Sequence, residues 1–317
     1  MSGPPATVWR RACVTGGACA GLLAVVYLLA VWTPLGQRFE DAVLRAGGTI
    51  AGSTEQVRAL DTLDSITVSS VIAAVILVLL IGLVRRRILL GFVGVGVIAA
   101  SVVTAEVIQR SVSRPILLSH GYRREDQSFP SGHAAVAMSL MCALAMVVPY
   151  RFRGLVVCLA WVWAASVGVA TVTASWHRPS DIIGADLIVA CYACVAVAVL
   201  ARWGMVREAT PGTSAVRVVR GLLAAVYGAV AVLGFVLAAV AVGVVLHDPD
   251  HTASTGAGSA MLFAGRALAL SGSAAVTVTL LALLRRVDLG APSANEAVEG
   301  SPDGELRHDG VYRSSGP

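Results

Sequence analysis

Eight stretches of this chain run for about 20 residues each with almost no charge, near 12–32, 66–84, 88–108, 132–149, 154–174, 182–201, 221–246 and 260–284. An α-helix rises 1.5 Å per residue, so a run of ~20 covers the hydrocarbon core of a bilayer. Backbone groups left open in lipid have no water to bond, so runs this uninterrupted must be helices. The chain is therefore expected to be an all-α, multi-spanning membrane helix bundle of about eight transmembrane helices. Composition agrees, with 56% hydrophobic and only 14% charged residues, too apolar for a soluble surface of this size. The first run follows Arg10-Arg11 but has full span length and no small-residue cleavage site, so it reads as a helix and not a signal peptide.

All 24 basic residues are Arg. With the N-terminus inside, thirteen of them flank the spans on the cytoplasmic side: Arg10, Arg11, Arg85 to Arg87, Arg151, Arg153, Arg202, Arg207, Arg217, Arg220, Arg285 and Arg286. Eight fall on the other side: Arg38, Arg45, Arg58, Arg110, Arg114, Arg123, Arg124 and Arg178. This bias puts both termini in the cytoplasm of a multi-pass cell-membrane protein. Arg266 lies just inside the last span and is expected to reach outward. The net charge of +5 is thus topological; no basic stripe interleaved with aromatics points to nucleic acid. Residues 33–64 form a long outer loop with an interfacial helix around Phe39–Leu44, and the Gly, Ser, Pro and acid-rich stretch 288–317 reads as a disordered cytoplasmic tail, leaving 1–287 as the membrane domain.

Three short segments carry chemistry: Ser113-Arg114-Pro115, Phe129-Pro130-Ser131-Gly132-His133, and Trp176-His177-Arg178-Pro179-Ser180-Asp181. All fall on the outer side. Ser131 and Gly132 open the fourth span, and Asp181 directly precedes the sixth. Free backbone N–H groups and the helix dipole at such positions favour an anion. His177 and Asp181 are four residues apart, one turn of helix, so the carboxylate can reach one ring nitrogen and orient the other as a nucleophile. Singly, each has a plainer reading: a satisfied interfacial His, or a helix cap at Ser131-Gly132.

Together these segments resemble the type 2 phosphatidic acid phosphatase superfamily, which also includes vanadium haloperoxidases. That family shows a Lys and Arg-Pro, then Pro-Ser-Gly-His, then Ser-Arg followed by His and, four residues on, Asp. Arg114-Pro115, Pro130 to His133, and His177 with Asp181 match in type, order and spacing, over about residues 66–201. The resemblance implies a six-helix phosphatase core, with the spans at about 221–284 additional to it. It implies that His177 attacks phosphorus, Asp181 orients it, and His133 protonates the leaving oxygen and then activates water. Arg114, Ser131 and Gly132 would hold the phosphate. The chain departs from the pattern twice. There is no Lys, and Gln109 or Arg110 stands where it would fall; Ala170-Thr171 replaces Ser-Arg, leaving Arg178, or Arg123 and Arg124, as substitutes.

The function so implied is removal of phosphate or pyrophosphate from a lipid, polyprenyl or phosphatidate in type, on the extracytoplasmic face, with no metal or other cofactor. Lys-free, Ala/Val/Arg-rich usage points to a GC-rich bacterial genome and to a carrier lipid of the cell envelope. An inactive member that binds or moves lipid phosphates is the alternative. A transporter would need charges along the spans, where only Glu106, Asp186 and Arg266 occur. Pairing of Glu106 with Arg110 is the simplest account of that carboxylate. The Cys191/Cys194 pair reads as packing, and His247 to His251 as a solvated turn, not a metal site. The identity of the lipid and the oligomeric state are not legible.

Overall fold

The computed structural model describes residues 4–118, 128–209, 214–247 and 255–290. Among them the chain forms helices α1 (Pro4–Val31), α2 (Pro34–Thr49), α3 (Thr54–Asp64), α4 (Val68–Val84), α5 (Ile88–Ser111), α6 (Gly132–Val147), α7 (Arg153–Thr173), α8 (Pro179–Arg202), α9 (Ser214–His247) and α10 (Thr255–Leu283). Strands β1 (Val206–Glu208) and β2 (Val287–Leu289) pair antiparallel, Val206 opposite Leu289. Each of the eight apolar runs is a helix, so the all-α membrane bundle expected from sequence is what forms. Six helices (α1, α5, α7, α8, α9 and α10) are long and apolar enough to cross a bilayer alone. α4 passes only jointly with α3, from which it bends by 57°, and α6, at 16 residues, falls short of a full span.

Local chemistry starts the helices. The Thr33 hydroxyl accepts the Gly36 N–H at 3.0 Å ahead of Pro34, Thr67 and Ser70 form a reciprocal capping box on α4, and Ser131 caps α6. α8 is the most enclosed helix and runs through the middle, packed by α1, α5, α6 and α10. Large apolar side chains face outward elsewhere, among them Leu77 and Leu80 on α4 and Leu233, Val236 and Val240 on α9, as lipid contact requires.

Three features depart from the sequence reading. The outer loop holds two helices, and the stretch of α2 expected to lie along the interface is covered by protein: Gln37, Phe39, Glu40, Asp41, Val43 and Leu44 are buried against the bundle. α10 is not an appendage. It packs on α2, α7 and α8, and Ser273 donates to the buried carboxylate of Asp186 on α8 at 2.7 Å. A Cβ at Gly272 would sit 2.7 Å from Ile183, so glycine is what lets α10 approach α8. Arg266 pairs with Glu55 of α3 at 2.5 Å. The third departure is the two-stranded ribbon, which carries ordered chain past the boundary expected at 287. The tail from 291 and the turn 248–251 lie outside the described residues.

The ribbon marks one end of the bundle. Asp288 receives Arg87 at 2.9 Å and lies within ion-pair reach of Arg85 (3.5 Å) and Arg207 (4.0 Å). Arg153, buried at the start of α7, donates to the carbonyls of Ala145 (2.7 Å) and Val287 (2.8 Å). Arg11 of α1 donates to the Ala282 carbonyl. Segments that the Arg bias assigns to one side therefore meet at one end, and the three motifs meet at the other.

Candidate active site

Helix starts assemble the site. Ser131 precedes α6, Arg178 precedes α8, and the Ser131 N–H donates to the Asp181 carbonyl at 2.9 Å, tying the two starts together. The His177 Nδ1 faces two oxygens, the Ser128 carbonyl at 3.1 Å and Asp181 Oδ2 at 3.3 Å. Neither can donate, the carboxylate being ionised, so Nδ1 carries the proton and the lone pair lies on Nε2. Asp181 is fully buried, and the same Oδ2 also accepts the Arg178 N–H at 2.8 Å. One carboxylate thus both starts α8 and aims the imidazole.

His133, on the first turn of α6 and half-buried, packs its ring on Trp176 at 5.6 Å between centroids, beside the third motif. It is close enough for the charge of His177 to act on it. At Gly132, nothing among the described residues lies within 4 Å of where a Cβ would point, so a ligand can approach this backbone. The Ser131 hydroxyl accepts the Ala134 N–H at 3.3 Å.

The arginines are held by residues that the sequence reading missed. Arg114 donates to Glu40, and Glu40 Oε1 accepts the Ser180 N–H at 3.3 Å on the first turn of α8. Arg178 donates to Asp41 at 3.3 Å and to the Ser128 hydroxyl at 3.1 Å. Gln37 binds the Arg114–Leu117 segment at both faces, donating to the Pro115 carbonyl at 2.7 Å and accepting the Leu117 N–H at 3.2 Å. Burial pushes the Glu40 carboxyl above its ordinary range, and Asp181 adds to that; Arg114, Arg178 and the Ser180 hydrogen bond pull it back only in part. Burial also opposes the Arg114 charge, but Glu40, Asp181 and Asp41 outweigh it and hold the guanidinium firmly charged.

At this cluster three buried donors, Arg114 Nη1, Arg178 Nε and the Ser180 hydroxyl, have no hydrogen-bond partner among the described residues, and nor does the acceptor Asp181 Oδ1. The three donors belong to residues gathered by Glu40 and Asp41. Leaving such groups unmet costs about 1–3 kcal/mol each, which a bound oxyanion would recover.

Of the expected phosphate contacts, the structure brings Arg114, Ser131, Gly132 and Arg178 to this cluster with His133, His177 and Asp181. It does not bring Arg110. That side chain projects from the last turn of α5, is 77% exposed, and pairs with Glu106 at 2.5 Å. Gln109, one residue earlier, turns toward the motif segments and donates to the Ser128 carbonyl at 3.4 Å. Thr171, where the family has Arg, is buried and bonded to its own helix. Arg123 and Arg124 lie outside the described residues. The adjacent Glu40-Asp41, with Gln37 a turn earlier, was the available signal for α2: two carboxylates set among Phe39, Ala42, Val43 and Leu44 need partners if that stretch is buried. Among the described residues no group of three or more His, Cys, Asp or Glu is placed to hold a metal ion. Cys191 bonds the Gly16 carbonyl at 3.7 Å and Cys194 packs between α8 and α1, a packing role.

A helix bundle with six bilayer-length apolar helices and, at one end, a histidine aimed by a carboxylate beside two helix starts defines a multi-pass membrane protein with a polar, charged cluster at that end. Residues 96–205, which include every motif residue named above, match the PAP2 superfamily, and this match supports membership of the type 2 phosphatidic acid phosphatase superfamily. Members are generally phosphatases, which supports a phosphatase activity here. No curated protein and no solved structure gives a match.

Proposed function

We infer that this protein is a lipid phosphatase acting through a phosphohistidine on the extracytoplasmic face. The observation that carries the reading is the double engagement of His177 Nδ1 by Ser128 and Asp181, which leaves Nε2 as the nucleophile. In the first step Nε2 attacks phosphorus in line, the P–O bond to the lipid breaks, and His133 gives its proton to the departing oxygen. In the second, His133 takes a proton from water, whose oxygen displaces His177 from phosphorus. Arg114, the Gly132 N–H and Ser131 stabilise the equatorial oxygens, with Arg178 supporting the same field. The scheme calls for no metal.

Sidedness rests on the Arg bias: the ribbon end gathers the arginine-rich segments, which supports a site on the opposite, outer surface. The substrate class rests on placement of the site at the end of membrane helices, where a headgroup would present phosphate. Polyprenyl and phosphatidate-type lipids both fit. The proposed core spans about 66–201 within a membrane domain of 1–287, and α10 buttresses that core through α8.

One observation favours a second reading. Arg114 and Arg178 are both bound by carboxylates, and the family's third-motif Arg is Thr171, so the site is poor in free positive charge. An inactive lipid-phosphate binder would look like this. Release of phosphate from a panel of lipid phosphates by purified protein in detergent, compared with His177→Ala, separates the two. Turnover lost in the variant supports the phosphatase; equal background in both supports the binder.

A further inference from the structure

Glu40 stands where an oxyanion would. Its Oε1 takes a backbone N–H at the start of α8 and its Oε2 takes Arg114, and a helix start beside a guanidinium is the arrangement that binds phosphate. No N-cap side chain accepts from the first turn of α8, because the preceding residue is Arg178; Glu40 supplies that acceptor from a helix 140 positions away. Around it the described guanidiniums are two, Arg114 and Arg178, and the carboxylates are three, Glu40, Asp41 and Asp181. Ionised, these five side chains sum to one negative charge, so the carboxylates already match the guanidiniums before any phosphate arrives. The unmet donors Arg114 Nη1, Arg178 Nε and Ser180 Oγ show that capacity for oxygen ligands is present nonetheless.

We propose that Glu40 is a specificity-determining residue whose carboxylate competes with phosphate for Arg114 and the α8 start, so that the site holds the doubly charged inorganic product weakly and releases it. This rests on the phosphatase reading above. A lipid substrate has its hydrocarbon to anchor it in the bilayer and tolerates a weak headgroup site; free phosphate has only charge. The carboxylate therefore discriminates between a substrate and a product that share one chemical group. Glu40 itself touches no reacting atom in the scheme.

The test uses full-length protein in detergent, with inorganic phosphate as the probe, read both as an inhibition constant for lipid-phosphate turnover and by direct binding of labelled phosphate. Glu40→Gln keeps the shape and the Ser180 hydrogen bond but removes the charge. It should tighten phosphate inhibition roughly tenfold or more, with kcat falling as product release slows and KM falling with it. Glu40→Asp keeps the charge and should leave phosphate affinity near wild type. Gain of affinity in Glu40→Gln alone is a result that a merely structural role does not give. Unchanged or weaker phosphate binding in Glu40→Gln, or equal shifts in both variants, overturns the proposal while wild-type turnover leaves the phosphatase reading standing. If wild type neither turns over lipid phosphates nor binds phosphate, the phosphatase reading falls first and takes this proposal with it.

Discussion

Asp181 Oδ2 lies 3.3 Å from His177 Nδ1 while it holds the Arg178 N–H at 2.8 Å, so one oxygen takes part both in the start of helix α8 and in the orientation of the imidazole. That coupling separates catalysis from folding in a measurable way.

Asp181→Asn keeps an oxygen for the Arg178 N–H but removes the charge that faces His177. The fold should persist, with kcat for lipid-phosphate hydrolysis down by roughly 10²–10⁴, while KM changes little. Steady-state kinetics beside a thermal-unfolding curve checks this; loss of both together would mean the carboxylate acts mainly as a cap.

His133 is assigned the proton for the departing oxygen. A leaving group that needs no proton, such as p-nitrophenolate, should therefore lessen the dependence on it. His133→Ala should lose far more activity on a lipid phosphate than on p-nitrophenyl phosphate in the first, phosphoenzyme-forming step. Single-turnover comparison of the two substrates decides it, and equal losses would remove His133 from that role.

Gln37 grips the Arg114 segment from both sides. Gln37→Ala leaves the Pro115 carbonyl and the Leu117 N–H without that partner, at a cost of about 1–3 kcal/mol. The expected signature is a raised KM for lipid phosphate, since Arg114 loses its fixed position, together with a lower unfolding temperature.

Gly184 on α8 faces the ring of Phe129, which immediately precedes the Pro130–His133 motif. Ring and helix backbone are both buried, so Gly184→Ala must displace one of them, and overpacking of this kind costs about 1–3 kcal/mol. Activity should fall further than stability, because the displaced Phe129 carries the second motif with it. Kinetics and thermal unfolding of the same preparation test the difference.

The far end offers a pH test. Burial alone would raise the Asp288 carboxyl, but the hydrogen bond to Arg87 and the charges of Arg87, Arg85 and Arg153 override it and hold it below the ordinary range. The unfolded chain then takes up the proton first as pH falls. The clamp's stabilisation is present above the unfolded carboxyl value of about 3.9 and is lost as pH drops from there through the lowered folded value. Unfolding temperature followed from about pH 6 to pH 3 should fall more steeply in wild type than in Asp288→Asn.

Much of this molecule was legible before any coordinates. Apolar runs of span length dictate helices because a bilayer tolerates no open backbone, and all eight runs became helices. The histidine and carboxylate four residues apart did meet, but not across a helical turn: His177 precedes the extended N-cap residue Arg178, and Asp181 on the first turn of α8 reaches back to it. Arg110 was misjudged for a reason sequence does not show: whether a residue at the end of a helix faces the bundle or the outside depends on the rotation of α5 against its neighbours. Gln109 and Arg110 differ by one position and face opposite ways.

The sequence by itself determined the class of solvent, the helices and the three motif segments, since each follows from hydropathy or from spacing within a few residues. Only the tertiary structure decided the electrostatics of the site. Glu40 and Arg114 lie 74 positions apart, and Asp41 and Arg178 lie 137 apart. Charges that are remote along the chain interact only once packing removes the water between them, and it is α2, buried against the bundle, that makes this happen.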